Sequence, residues 1–130
     1  MKSIIILFAL SIFTMQSQSP EQIVQQQLDA YNQRDISKFM DTMAQNVVLY
    51  NFANGQVLAE GFDAVKSTYA LLFAKSPELH SKLINRIVLG NQVIDHESIT
   101  GRLGSSETIE LAVIYEIKEG KIVKISVLRK

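Results

Sequence analysis

Two alternating runs, LINRIVL and QVIDHESI, flank Gly90-Asn91, and that junction limits the second half of this chain to an antiparallel hairpin. A two-residue turn of this type favours positive φ and fixes the register, so Leu89 faces Gln92, Arg86 faces Asp95 and Asn85 faces His96. Two faces follow from the alternation. One holds Leu83, Asn85, Ile87, Leu89, Ile94, His96 and Ser98, and the other holds Lys82, Ile84, Arg86, Val88, Val93, Asp95 and Glu97. The first carries no formal charge and is assigned to the interior, because unpaired charges are rarely buried. A β-bulge would exchange the two faces.

The rest of the chain has to supply a cover for that hairpin. At 130 residues, with 47% hydrophobic and 20% charged side chains, it suits one domain with a real core. The 13 basic and 13 acidic side chains leave no positive excess to hold a phosphate backbone, so nucleic acid is not an expected partner. Cysteine is absent and histidine occurs only at His80 and His96, which removes disulfides, thiolate zinc sites and histidine-rich metal sites. No metal or cofactor is expected.

Residues 1–19 read as a secretory signal peptide: Lys2, an apolar run from Ile4 to Phe13, then the polar tail TMQSQS, with cleavage expected near Ser17 or Ser19. The run is too short for a stable membrane anchor. Export to a periplasm or beyond follows, and residues 20–130 form the single domain.

Ser19-Pro20-Glu21-Gln22 predicts a helix start, with Ile23, Val24, Leu28 and Tyr31 on one stripe and Gln27 inside it. Asp35 caps a second helix carrying Ile36, Phe39, Met40 and Met43, expected to end near Gln45-Asn46. Val47 to Phe52 and Val57 to Glu60 are strand-like around Asn54-Gly55. Phe62, Val65, Tyr69, Leu72 and Phe73 share a face of a third helix, closed by Ser76-Pro77. After the hairpin, Thr108 to Ile117 and Lys121 to Leu128 pair around Glu119-Gly120. Helices early and antiparallel strands late give an α+β class. The last pair is apolar in both phases, so both sheet faces need cover; helices cover one, and a homodimer through the sheet is expected to cover the other.

The stretches LDAYNQRDISKFMDTMAQNVVLYNF, LAEGFDAVKSTYALLF, NRIVLGNQVIDHESITG and AVIYEIKEGKIVKISV, in this order, resemble the nuclear transport factor 2-like superfamily, in particular its SnoaL-like and ketosteroid-isomerase-like branches. The resemblance covers nearly all of the mature chain. It implies a cone-shaped curved antiparallel sheet with three helices on its concave face, a deep apolar pocket, and a homodimer. Some members of the superfamily catalyse isomerisation, cyclisation, dehydration or hydrolysis, and others only bind. Aligned on Asp35-Ile36, the isomerase general-base aspartate falls on Asn51, the oxyanion tyrosine on Gln27 and the second oxyanion acid near Val113. An amide cannot abstract a proton from carbon, so that machinery is not expected here.

The candidate site residues follow from these placements. His96, with Asn85 opposite to fix its tautomer, is either an acid, base or orienting donor or a structurally satisfied histidine. Arg86 with Asp95 and Glu97 either binds an anionic ligand or forms an outer cross-strand ion pair. Gln27 and Asn51 offer neutral donors and acceptors to a ligand, or bond nearby backbone. Tyr50 reaches the pocket only if its strand is distorted, and His80 either lines the mouth or is simply exposed. Glu110 and Arg129 are expected to face one another across the last pair. Two functions stay open: an exported domain binding a small apolar or amphipathic molecule, or a SnoaL-like enzyme with His96 or Asp95 as proton carrier.

Overall fold

The computed structural model describes residues 17–130 together with Ile4 and Ala9, so most of the expected leader lies outside the described residues. The element order is α1 (Pro20–Gln33), α2 (Ile36–Asp41), β1 (Met43–Asn51), β2 (Val57–Glu60), α3 (Phe62–Ala74), β3 (His80–Leu89), β4 (Gln92–Thr100), a short turn of 3-10 helix (Arg102–Gly104), β5 (Ile109–Lys118) and β6 (Lys121–Arg129). The strands form one curved, unclosed sheet in the order β2-β1-β6-β5-β4-β3. Every neighbouring pair is antiparallel except β1 and β6, which run parallel. That pair makes the sheet mixed where an antiparallel one was expected. A parallel pair needs a long connection, and β2 to β5 supply it.

Local chemistry accounts for the helix starts and their docking. Ser19 caps α1 in a reciprocal box with Gln22, Pro20 occupies the first turn, and Ile23, Val24, Gln27, Leu28 and Tyr31 are buried. At its far end α1 is tied to β3: the Asn32 side chain donates to the Ser81 carbonyl at 3.0 Å and accepts from the Ser81 N–H at 2.8 Å. Asp35 caps α2 as expected, accepting from the Lys38 N–H, but the helix ends at Asp41. Met43 therefore begins a strand instead of closing a helical stripe. The Thr42 carbonyl accepts from Ile122 N–H of β6 at 2.8 Å, and the sheet ladder captures residues that helical spacing alone would have continued.

The hairpin register is as counted from the turn: Leu89 faces Gln92, Arg86 faces Asp95 and Asn85 faces His96. The face assigned to the interior is the wrong one. Val93, Asp95, Glu97 and Ile99 are buried, while Asn85 is exposed and His96 half-exposed. A bulge at Ile84 then shifts β3, so Ser81 and Leu83 turn inward with Glu97 although Arg86 also turns inward with Asp95. The neighbouring strand shows why. Val93 lies beside Tyr115, Asp95 beside Val113 and Glu97 beside Leu111, so the acids share a face with the apolar side of β5.

Burying Asp95 is tolerable because it is paired. Arg86 donates to it through Nε at 2.7 Å and Nη2 at 2.9 Å, and through Nη1 to Gln25 Oε1 of α1 at 2.9 Å. The Asp95 side chain is 0% exposed and that of Arg86 is 9% exposed, so this is a desolvated, bidentate pair and not the outer ion pair that was the alternative. Removing one partner strands a buried charge. In urea unfolding at neutral pH, Arg86→Met is expected to lower stability by about 3–5 kcal/mol. The double variant Arg86→Met with Asp95→Leu should recover most of that loss, and a single variant as stable as the parent would contradict the assignment.

Candidate functional site

Between the helices and the concave side of the sheet lies a cavity of about 580 Å³. Its wall follows the strand rows already described. Arg129 pairs with Leu111, which pairs with Glu97; Asn51 and Val113 both pair with Val127. These residues all line the hollow, with Leu49, Ile99, Arg102 and Leu58. The helices contribute Gln27 and Tyr31 from α1 and Thr68, Tyr69 and Leu72 from α3, and β5 adds Tyr115.

Glu97 is the chemically distinctive group here. It is 4% exposed, its Oε1 accepts from the Ser81 hydroxyl at 2.8 Å, and no hydrogen bond among the described residues engages Oε2. Burial pushes its carboxyl up to about 7; the Ser81 hydrogen bond opposes the shift, Asp95 adds to it, and Arg86 partly offsets it. A neutral carboxylic acid and its anion are therefore both accessible near pH 7. Burial also raises Tyr31, Tyr69 and Tyr115 well above the usual phenol range, and the Glu97 charge pushes in the same direction. All three stay protonated as potential donors. Two of the rings are braced by α2 and α3: Tyr31 meets Phe73 edge-on at 5.5 Å and Tyr69 lies 4.5 Å from Phe39. Gln27 is 4% exposed, and its Oε1 is the one buried side-chain polar atom without a partner among the described residues.

The residues singled out from the sequence divide accordingly. Gln27 and Asn51 line the cavity, although Asn51 Oδ1 also accepts from the Ala53 N–H at 3.0 Å, the local backbone bond that was its alternative. Arg86 and Asp95 satisfy each other and do not line the cavity. His96 lies on the outer side of the sheet, its Nε2 2.7 Å from Glu110 Oε1, so neither His96 nor Asn85 can orient a ligand in the hollow. His80 is exposed at the start of β3. Tyr50 faces a separate shallow depression, with Lys124 Nζ 5.0 Å from its ring centroid. Glu110 turns to His96 and Lys130, which hold its carboxyl below the ordinary range, and not to Arg129.

The sequence singles out neither Arg102 nor Arg129 as a pocket residue and places Glu97 only beside Arg86, while Tyr31 and Tyr69 enter only as members of apolar helical stripes. A signal for Glu97 existed in the phase Val93-Asp95-Glu97-Ile99, which begins and ends on β-branched apolar residues. No three of His, Cys, Asp and Glu among the described residues come together to hold a metal ion. Among the described residues no helix is long and apolar enough to cross a membrane.

A curved mixed sheet with three helices over its hollow side, and a cavity between the two, defines a nuclear transport factor 2-like α+β domain. The chain belongs to the SnoaL-like domain family, whose model matches residues 24–125. Among solved structures it is similar to a cystatin-fold protein from Novosphingobium aromaticivorans, at 22% identity over 86% of this chain and 99% of that one, with a TM-score of 0.79. A proposed polyketide cyclase from Sinorhizobium meliloti matches at 20% identity over 82% and 93% of the two chains, TM-score 0.70. A proposed ketosteroid isomerase from Kribbella flavida matches at 12% identity over 85% and 77%, TM-score 0.73. At these identities the likeness is one of fold. No curated protein matches the chain.

The Glu97 shift makes a sign-specific prediction. Its folded pKa lies above the value of 4.5 that applies to the unfolded chain, so the native state binds the extra proton between about pH 4.5 and 7. Its contribution is complete below that window and is lost as pH rises through it. Urea midpoints of the parent should fall relative to those of Glu97→Gln between pH 4.5 and 7.5, and parallel profiles would show that Glu97 is not so shifted.

Proposed function

We propose that this chain binds a small molecule in the cone and moves a proton within it, as an isomerase or cyclase, with Glu97 as the proton carrier. The observation that carries this reading is a buried carboxyl group, close to neutrality in its titration, bordering a cavity of about 580 Å³. In either reaction class the proton balance closes within one molecule. The Glu97 carboxylate takes a proton from a carbon beside a carbonyl, and the resulting acid returns it to another carbon of the same molecule or, after ring closure, to the new alkoxide. The phenols of Tyr31, Tyr69 and Tyr115 are neutral donors suited to an oxygen that gains charge during such a step.

The expectation of binding alone rested on a hollow without a base, and Glu97 supplies one. It also replaces His96 and Asp95, the first lying on the outer face and the second held by Arg86. Asn51 and Gln27, at the positions aligned with the isomerase base and tyrosine, would contact ligand without abstracting a proton.

The reading includes export, on the strength of the leader pattern in residues 1–19. Cleavage after Ser17 would preserve the Ser19 cap of α1, whereas cleavage after Ser19 would remove it. It also includes a homodimer, with a second copy over the outer side of the sheet, where Ile94, Ala112 and Ile114 are half-buried and Ile87 is exposed. Sedimentation at micromolar concentration is expected to give twice the chain mass, and a monomer would exclude the dimer.

For the activity, a screen by thermal shift should first find a ligand that raises the melting temperature. With that ligand, Glu97→Gln is expected to retain binding and to lose turnover by about 100-fold or more. The parent rate should have an inflection near pH 7, the value to which burial pushes Glu97. Undiminished turnover by Glu97→Gln would refute the assignment, and failure of every ligand would refute the pocket itself.

A further inference from the structure

Two guanidinium groups, those of Arg102 and Arg129, border the same hollow, and among the described residues neither has a carboxylate paired with it. Arg86, the other arginine near the site, is consumed by Asp95 and Gln25. Both free guanidinium groups lie close enough to Tyr31 to oppose the rise in its pKa. We propose that the pocket takes a small organic acid, its carboxylate held by Arg102 and Arg129 and its far end reaching Glu97 and Gln27.

The geometry favours this on three counts. Arg129, Leu111 and Glu97 lie in one row across adjacent strands, so two strand spacings, about 10 Å, separate the backbones of the cation and the proton carrier. An acid spanning that distance presents its apolar middle to Leu111 and Ile99. Arg102 is also set in place beforehand. Gly101 precedes it at φ +71 and packs so closely on the Glu78 carbonyl that a Cβ there would collide, and the next N–H, that of Leu103, donates to the buried Ser76 hydroxyl at 2.8 Å. The loop is thus fastened at the end of α3, and little ordering remains to be done on binding. Finally, the orphaned Gln27 Oε1 requires a donor, which a hydroxyl at the inner end of the ligand would provide. Arginine pairs bind carboxylates through charge-assisted, often bidentate hydrogen bonds, and a neutral ester forfeits that contact.

This inference rests on the pocket being a ligand site, and the test separates the two. Calorimetric titration of the full chain would compare octanoate, para-hydroxyphenylpropanoate and indoleacetate, each beside its methyl ester. At least one acid is expected to bind about ten-fold or more tightly than its ester, with affinity falling as salt rises. Arg102→Gln and Arg129→Gln, checked for an unchanged melting temperature, should each remove that preference while ester binding persists. Lys118→Gln, which removes an exposed cation away from the cavity, should leave it in place. Esters that bind as well as the acids, a preference surviving in both arginine variants, or no binding by any of the acids would each overturn the inference. The pocket reading would fall as well only if the neutral ligands of the thermal-shift screen also failed.

Discussion

The pairing of Arg86 with Asp95 is the contact that the remainder of the molecule has to accommodate. It places a carboxylate with 0% side-chain exposure on the inner face of β4 and brings its compensating charge from the adjacent strand. The third arm of that guanidinium reaches Gln25, so the same residue that neutralises Asp95 also sets the position of α1 over the sheet. Breaking such a pair is costly in a way that breaking an exposed one is not. With the concave face fixed by this contact, Leu111, Val113, Tyr115 and Ile125 follow onto it by register.

Glu97, two residues further along β4, is the counterpoint. It lies on the same face as Asp95 but has a hydroxyl for a partner where Asp95 has a guanidinium. Desolvation is then relieved by keeping a proton, not by pairing. One strand thus carries a structural carboxylate and a titrating one, separated by the alternation of a single intervening residue, His96, which points the other way and meets Glu110. The environment of each acid, not its residue type, assigns its role.

The fold is widely shared, and the solved structures it resembles include proteins described as a cyclase and as an isomerase. That likeness explains the cone and leaves the chemistry to the particular side chains in it. Here those include one acid, three phenols, an amide and two guanidinium groups without partners among the described residues, a more charged lining than the uncharged face expected from the hairpin.

Much of the architecture was legible in the chain itself. The Ser19 and Asp35 caps, the span of β2, the close of α3 at Ser76-Pro77 and the Gly90-Asn91 register are all local, set by hydrogen bonds and dihedral preferences within a few residues. Gln27 could be placed in the hollow because helical spacing puts it inside an apolar stripe. The inward face of the hairpin could not be fixed in the same way, since the rule that charges avoid burial holds only for unpaired ones, and Asp95 has its partner on another strand. Nor could the bulge at Ile84, which turns Ser81 toward Glu97, or the convergence of Arg102 and Arg129 from a loop and a strand more than twenty residues apart. Those depend on contacts between distant segments, which exist only once the helices have packed onto the sheet.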